Sequence, residues 1–165
     1  MNQPMPVLKH APRPDRDVMA ETFKLSSRLG AQPHPEDAVR VGIMRRIAAA
    51  RLRYHGLSPL VEDVTLIVSE LLTNAVQRGK GTVNITMRVD VGDLRITVTD
   101  DGAGRAIPSA PSADDESGRG LSIVVQLVRE RGGEWGTKHR SDGKDGKHVW
   151  CTVPVTHNAQ AGSTE

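Results

Sequence analysis

The chain has 165 residues, and its 22 Lys and Arg residues nearly balance its 20 Asp and Glu residues. This length suits one domain with a sizeable core, and a balanced charge without a basic run argues against direct binding to nucleic acid or to an anionic membrane surface. The chain also lacks the run of about 18 apolar residues that a membrane span needs. Its single cysteine, Cys151, excludes an internal disulfide and a zinc site built from cysteines. These features predict a cytoplasmic protein.

Both ends of the chain are predicted to be flexible tails. Residues 1–19 are interrupted by prolines, and residues 155–165 are rich in small polar residues, so neither end carries a pattern that favours folding. One domain is therefore predicted over residues 20–154. At the start of this domain, apolar and polar residues alternate weakly over residues 21–27, which predicts a short strand.

A first helix is predicted after Pro35, where apolar residues recur at helical spacing and Gly56 provides a stop. The predicted apolar stripe consists of Val39, Ile43, Ile47, Ala50 and Leu52. The predicted outer face carries five arginines, Arg40, Arg45, Arg46, Arg51 and Arg53. Most such faces are only solvated, but this one could also bind an acidic partner.

A second helix is predicted over residues 58–79, with Ser58 as its N-cap and Pro59 in its first turn. Its apolar stripe consists of Val64, Ile67, Val68, Leu71, Leu72 and Ala75. Two runs in which apolar and polar residues alternate follow over residues 82–90 and 94–100. The turn residues between them predict an antiparallel hairpin.

The remaining sequence predicts a loop, a helix and two strands. Residues 101–118 have no periodic pattern, and a long irregular loop in a compact domain is usually functional or disordered. The third helix is predicted to start at Gly120, with apolar positions at Leu121, Val124, Val125 and Val128. Short strands are predicted over residues 134–137 and 148–153. The element order predicts an α+β fold, a two-layer sandwich in which about three helices cover one face of a mixed, mainly antiparallel sheet.

Glu70 and Asn74 lie one helical turn apart at the edge of the second helix's apolar stripe. A buried face meets solvent at this edge, as it does at the rim of a crevice. The Asn74 amide oxygen could bind Mg²⁺, which takes oxygen ligands and shares substrate phosphates. The Glu70 carboxylate could orient or deprotonate an attacking hydroxyl. A solvated pair without function is the alternative.

The stretch DDGAG, residues 100–104, follows directly after a predicted strand. Gly102 and Gly104 would let the backbone approach a flat ligand closely. The Asp100 carboxylate could accept a hydrogen bond from an exocyclic amine such as that of adenine. A glycine-rich turn closed by an aspartate is the alternative.

The stretch SGRGL, residues 117–121, opens the third helix. A helix N-terminus presents free N–H groups and partial positive charge, which favour phosphate. Its glycines would let a phosphate come near, and Arg119 could add positive charge. A flexible entry into the helix is the alternative. The phosphate-binding patterns G-x-x-x-x-G-K-[ST] and G-x-G-x-x-G are absent from the sequence.

Taken in order, E-x-x-x-N on a helix, D-x-G-x-G after a strand, a loose loop and G-x-G-L at a helix start resemble the GHKL ATPase superfamily of gyrase, histidine kinases and MutL. The stretches VSELLTNAV, VTDDGAG, SGRGLSIVVQLV and WG…GKHVW resemble anti-sigma-factor serine/threonine kinases of the RsbW and SpoIIAB type, in particular the actinobacterial ATP-binding regulators. The resemblance covers residues 20–154. It implies the Bergerat sandwich, in agreement with the predicted element order.

The resemblance also implies a role for each motif, with ATP and Mg²⁺ as cofactors. Glu70 is the expected catalytic base, and Asn74 is expected to bind Mg²⁺. Asp100 is expected to bind the adenine amine, in a pocket shaped by Gly102 and Gly104. Residues 105–117 are the expected ATP lid. The residues expected to bind the phosphates are Gly118, Arg119, Gly120 and Leu121.

The resemblance further implies an anti-sigma factor that sequesters a sigma factor and uses Mg-ATP to phosphorylate Ser or Thr of a STAS-domain anti-anti-sigma partner. It implies a homodimer as well, in which part of the arginine-rich helix could line the interface. Two alternatives stay open. One is a non-catalytic module that binds ATP as a switch, and the other is a histidine-kinase-type ATPase domain acting in trans. The second is disfavoured because no helical hairpin with an acceptor histidine is predicted.

The sequence departs from the resembled family at two places. Gln77, Arg78 and Gly79 follow the asparagine motif where many relatives have a histidine. His148 replaces a threonine of the closing motif, and it could alter phosphate contacts or simply face solvent. These departures leave nucleotide binding as the prediction and put kinase turnover in question.

Overall fold

The computed structural model describes residues 15–26, 33–78, 80–102, 116–141 and 146–155. They form five β-strands and three α-helices: β1 (Arg16–Lys24), α1 (Pro35–Tyr54), α2 (Val61–Arg78), β2 (Thr82–Asp90), β3 (Asp93–Asp100), α3 (Glu116–Glu130), β4 (Trp135–His139) and β5 (Lys147–Pro154). A 3₁₀ turn, Ser58–Leu60, precedes α2, so the predicted second helix starts as this turn. The predicted order of elements is confirmed.

The five strands form one sheet in the order β1-β2-β3-β5-β4, and each neighbouring pair is antiparallel. β2 and β3 form the predicted hairpin, with Asp90 opposite Asp93. The turn residues between them, Val91 and Gly92, have φ angles of 47° and 85°. Positive φ at both positions is typical of the type I′ turn, whose twist matches that of the flanking strands.

One face of the sheet is buried and the other is partly exposed, because side chains alternate along each strand. The buried face carries Val83, Ile85, Met87 and Val89 of β2, Leu94, Ile96 and Val98 of β3, and Val149, Cys151 and Val153 of β5. The three helices pack on this face and share its core, which includes the predicted stripe of α2. The predicted α+β sandwich with helices on one face is therefore confirmed, but among the described residues the sheet is entirely antiparallel and not mixed.

α1 buries a different side from the predicted one. The predicted stripe includes Val39 and Ile43, but these residues are 61% and 41% exposed. The buried residues of α1 are Asp37, Val41, Met44, Ala48 and Leu52. The apolar residues of α1 are spread around all sides of the helix, so their spacing alone does not determine which side is buried. Packing against β1 and α2 determines it instead.

Two of the α1 arginines attach the helix to the rest of the fold. Arg40 donates a hydrogen bond to the Lys24 carbonyl and forms an ion pair with Asp37 at 3.1 Å. Arg51 donates to the Val18 carbonyl at 2.7 Å. The arginine-rich side of α1 is therefore partly a structural contact with β1.

β1 begins earlier than the sequence predicts. It starts at Arg16, which pairs with Val89 of β2, so the predicted domain start at residue 20 falls inside the strand. Residues 1–14 and 156–165 lie outside the described residues, and the two predicted tails stay predictions there. Within the described residues, none of the helices combines the length and apolar character that crossing a membrane requires.

Candidate functional site

Glu70 and Asn74 lie where the buried side of α2 meets its exposed side. Asn74 is the single polar residue among the eight buried residues of α2, with 8% exposure. Glu70 is half-buried one turn earlier, and residues four apart are neighbours on a helix. The structure therefore places a carboxylate and an amide together at the edge of the core.

α3 passes directly beside the Glu70 carboxylate at Gly120. A Cβ built at Gly120 would overlap Oε2 of Glu70, so any larger residue there would displace the carboxylate. The structure thus brings the E-x-x-x-N motif of α2 and the glycine motif of α3 into contact. Partial positive charge near the N-terminus of α3 favours a carboxylate at this place.

α3 begins at Glu116, four residues before its predicted start at Gly120. Gly118 and Arg119 therefore lie in its first turn, near backbone N–H groups that have no acceptor within the helix. Leu121 lies in the next turn and is a core residue with 6% exposure. Because the side chain of Leu121 packs in the core, only its backbone N–H could fill the predicted role in binding phosphate.

Part of the predicted site lies outside the described residues. This part contains Gly104, predicted to shape the adenine pocket, and residues 105–115 of the predicted lid. The last two predicted lid residues, 116 and 117, belong to the first turn of α3.

β3 ends at Asp100, whose side chain lies on the helix-covered face of the sheet with 2% exposure. Its Oδ1 accepts a hydrogen bond from the Gly102 N–H at 2.8 Å, which closes the turn after the strand. Burial raises the pKa of Asp100, and the Gly102 N–H and the ammonium of Lys147 oppose that rise. The turn predicted as an alternative is therefore present, and it leaves Oδ2 for other contacts.

Sequence reasoning missed Lys147, which lies opposite Asp100 in the pairing of β3 with β5. Its Nζ is 3.8 Å from Oδ2 of Asp100, which is beyond hydrogen-bonding distance. Nζ is buried and has no hydrogen-bond partner within the described part of the chain. A signal was available in the sequence, because Lys147 alternates with Val149, Cys151 and Val153 on the buried face of β5.

Asp101 links three segments around this buried pair. Its Oδ2 accepts a hydrogen bond from the Thr82 N–H at 2.8 Å, and its Oδ1 accepts one from Arg140 at 2.6 Å. The Arg140 N–H in turn donates to the Gly146 carbonyl at 3.1 Å. Asp101 thereby holds the start of β2, the end of β3 and the segment before β5 in one arrangement.

His148 lies on the face of the sheet opposite to Asp100 and Lys147. It pairs with Thr99, and the His148 Nδ1 and the Thr99 Oγ1 are 2.6 Å apart. Adjacent residues of a strand point to opposite faces, so His148 is directed away from the helix side. His148 is partly exposed on that face, where its neighbour is the Thr99 hydroxyl, and this position favours the solvent-facing alternative over a phosphate contact.

The donors on α2 suit Mg²⁺. Among the described residues, no group of three or more His, Cys, Asp or Glu side chains could hold a metal ion without other ligands. Mg²⁺ requires fewer protein ligands than such a cluster supplies, because phosphate oxygens and water complete its octahedral shell. The amide oxygen of Asn74, with the Glu70 carboxylate one turn away, fits that requirement.

Comparison with known proteins finds one family over most of the chain. The profile of the family described as "Histidine kinase-like ATPase domain" matches residues 34–152. A curated relative, blue-light-activated histidine kinase 2 of Erythrobacter litoralis, is 43% identical over 77 residues. That match covers 43% of this chain and 22% of the relative, so the chain corresponds to a minor part of that protein.

Two solved structures of histidine kinases are similar to parts of this chain. The histidine kinase domain of the blue-light-activated kinase from Erythrobacter litoralis EL346 is 25% identical, with a TM-score of 0.48, over 79% of this chain and 66% of that one. Full-length ShkA, solved in complex with AMPPNP, is 24% identical, with a TM-score of 0.47, over 78% of this chain and 32% of that one.

Proposed function

Because this chain belongs to the histidine kinase-like ATPase domain family and is therefore an ATP-binding domain, we propose that it is a protein kinase that uses Mg-ATP to phosphorylate a serine or threonine of a partner protein. The proposed substrate is a STAS-domain anti-anti-sigma factor, and the chain would also sequester a sigma factor. One observation carries the proposal of phosphoryl transfer: the Glu70 carboxylate contacts Gly120 near the start of α3.

Each predicted motif has a chemical role in this proposal. Glu70 takes the proton of the attacking hydroxyl as general base. Asn74 holds Mg²⁺, which supplies positive charge to the transferring phosphoryl group when bound. Backbone N–H groups in the first turn of α3, around Gly118, bind the phosphates. Asp100 accepts a hydrogen bond from the adenine amine through Oδ2.

The proposed acceptor is a hydroxyl because of the sequence motifs. The stretches VSELLTNAV and SGRGLSIVVQLV resemble those of anti-sigma-factor serine/threonine kinases. A carboxylate beside the phosphate-binding helix suits this acceptor, because a hydroxyl must lose its proton during attack whereas a neutral imidazole already offers a lone pair.

Phosphorylation of a histidine in trans is a second candidate. It is favoured by the identity of 43% over 77 residues with a histidine kinase of Erythrobacter litoralis. In this case Glu70 would orient the acceptor imidazole rather than remove a proton from it. The two candidates share the ATP site and differ in the residue that receives the phosphoryl group.

The stability of the transferred phosphoryl group distinguishes the candidates. The experiment incubates the protein with γ-labelled ATP, Mg²⁺ and a candidate STAS-domain protein. We expect acid-stable label on the STAS protein, as for phosphoserine or phosphothreonine, and labelling about 10²- to 10⁴-fold slower with the Glu70→Gln control. Acid-labile label would identify phosphohistidine and favour the second candidate. ATP-dependent binding of a sigma factor without any labelled product would contradict both and leave a non-catalytic switch.

For the partner surface we propose the exposed side of α1. Val39 and Ile43 are exposed there together with Arg46 and Arg53. An apolar strip beside arginines suits an acidic amphipathic segment of a sigma factor, or a second copy of the chain in a homodimer. Reversing the charge of both arginines to glutamate is expected to weaken sigma-factor binding, with Lys138→Glu on β4 as the control. Light scattering on the same variants tests the homodimer.

A further inference from the structure

Lys147 is buried beside the residue proposed to bind adenine. The side chains of Lys147 and Asp100 are 3% and 2% exposed, and the two residues are direct partners across β3 and β5. Both lie on the helix-covered face of the sheet, where lysine is rare because burying its charge is costly. A buried ammonium is stable only if a nearby polar group accepts its hydrogen bonds.

Asp100 satisfies the ammonium only in part. The distance of 3.8 Å between Nζ and Oδ2 allows electrostatic attraction but no hydrogen bond. The other carboxylate oxygen, Oδ1, already accepts from the Gly102 N–H at 2.8 Å. The three N–H donors of Lys147 therefore lack an acceptor within the described residues.

The pair presents one free acceptor, Oδ2, next to one free donor group, Nζ. Adenine presents the complementary pattern, since its N6 amine donates and its N1 accepts on the same edge. Building on the proposed ATP site, we propose that Lys147 determines base specificity by donating a hydrogen bond to N1 of adenine, while Asp100 accepts one from the N6 amine. The base would then supply the acceptor that the protein does not.

This role differs from that of a structural ion pair. A lysine that only neutralises Asp100 affects every nucleotide equally, because it acts on the carboxylate and not on the base. A lysine that contacts N1 distinguishes ATP from 1-deaza-ATP, in which N1 is replaced by C–H and the N6 amine is kept. Hydrogen bonds to charged groups are strong enough that losing this one should weaken binding about 10- to 100-fold.

The test measures the Kd of ATP and of 1-deaza-ATP by calorimetry for the full chain and for Lys147→Met. The original protein should bind 1-deaza-ATP about 10- to 100-fold more weakly than ATP. Lys147→Met should bind the two nucleotides equally, because it has no donor to lose. Lys147→Gln, which retains an N–H donor, should recover part of the preference. Lys138→Met, at an exposed lysine of β4, should keep all of it.

Several outcomes would overturn the inference. Equal binding of ATP and 1-deaza-ATP by the original protein would show that N1 is not contacted, and this comparison needs no variant. An equal preference in the original protein and in Lys147→Met would assign N1 to another group. Tighter binding of GTP than of ATP would mean that Lys147 and Asp100 recognise guanine instead of adenine. If no purine nucleotide bound at all, the proposed function itself would fail.

Discussion

Gly120 of α3 lies against the carboxylate of Glu70 in α2, in the space that a Cβ would occupy. The group that a Cβ would displace is the end of a flexible side chain, so Gly120→Ala should move Glu70 rather than unfold the domain. Replacing a helical glycine with alanine also stabilises a helix by about 0.5–1 kcal/mol. We therefore expect Gly120→Ala to keep or raise the free energy of unfolding and to slow phosphoryl transfer about 100-fold or more. Chemical denaturation and a transfer assay measure the two effects.

Gly42 provides the matched control for this substitution. It lies within α1, and a Cβ built there would meet no atom within 4 Å. Gly42→Ala should raise the free energy of unfolding by about 0.5–1 kcal/mol and leave transfer unchanged. A Gly120→Ala protein that transferred phosphate at the rate of Gly42→Ala would contradict the importance of the Glu70 position.

The roles proposed for Glu70 and Asn74 predict opposite defects. Glu70→Gln should reduce transfer about 10²- to 10⁴-fold, the usual contribution of a general base, with little change in the Kd of Mg-ATP. Asn74→Ala should abolish Mg-dependent nucleotide binding, so that its Kd is the same with Mg²⁺ and with EDTA. Calorimetry in both buffers measures this ratio.

Asn84 provides the control for Asn74. Its side-chain amide donates to Thr22 on the other face of the sheet at 2.8 Å. Asn84→Ala should lower stability by about 1 kcal/mol through the lost hydrogen bond and should keep the effect of Mg²⁺ on binding. If Glu70→Gln transferred phosphate at the original rate, the general base would have to be another residue.

Much of the fold could be predicted because its signals are local. The alternation over residues 82–90 matches the bounds of β2, and the helical spacing before Asn74 matches the buried side of α2. Where several faces of one element are apolar, local spacing is not sufficient. The exposed Val39 of α1 is the example, since tertiary packing and not periodicity selects the buried side of that helix.

The site was less predictable because its key contacts join distant segments. The motifs could identify Glu70 and Asp100 as candidates one residue at a time. The contact of Glu70 with Gly120 depends on how α2 and α3 pack, and the pairing of Asp100 with Lys147 depends on the β3–β5 register. A lysine in the alternating pattern of β5 was the one local sign that this position carries an unusual charge.

The raised pKa of Asp100 predicts how stability depends on pH. Between the ordinary value of 3.8 and the raised value, the folded protein binds more protons than the unfolded chain does. The contribution of Asp100 to stability is therefore complete below pH 3.8 and declines as the pH rises through the raised pKa. Asp100→Asn removes this titration. The free energy of unfolding of the original protein minus that of Asp100→Asn should fall with rising pH, and a difference that rose instead would contradict the burial of this carboxylate.

Cys151 tests whether β5 lies in the interior, independently of any ligand. Its residue is 0% exposed, and burial raises the pKa of its thiol to about 12. At pH 8 only about one molecule in 10⁴ would carry the reactive thiolate, so a thiol reagent such as DTNB should react very slowly with the native protein. The unfolded protein should react at once. Val39→Cys, at a position 61% exposed, should add one rapidly reacting thiol while Cys151 stays slow.

Rapid reaction of Cys151 in the native protein would also contradict the burial of Lys147. Cys151 and Lys147 lie on the same buried face of β5, four residues apart. An accessible Cys151 would mean that this face of β5 opens to water, and Lys147 would then be hydrated rather than left without an acceptor. Slow labelling, with the rate unchanged when ATP is added, is the expected result, because the burial of Cys151 comes from the packing of the sheet and not from the nucleotide.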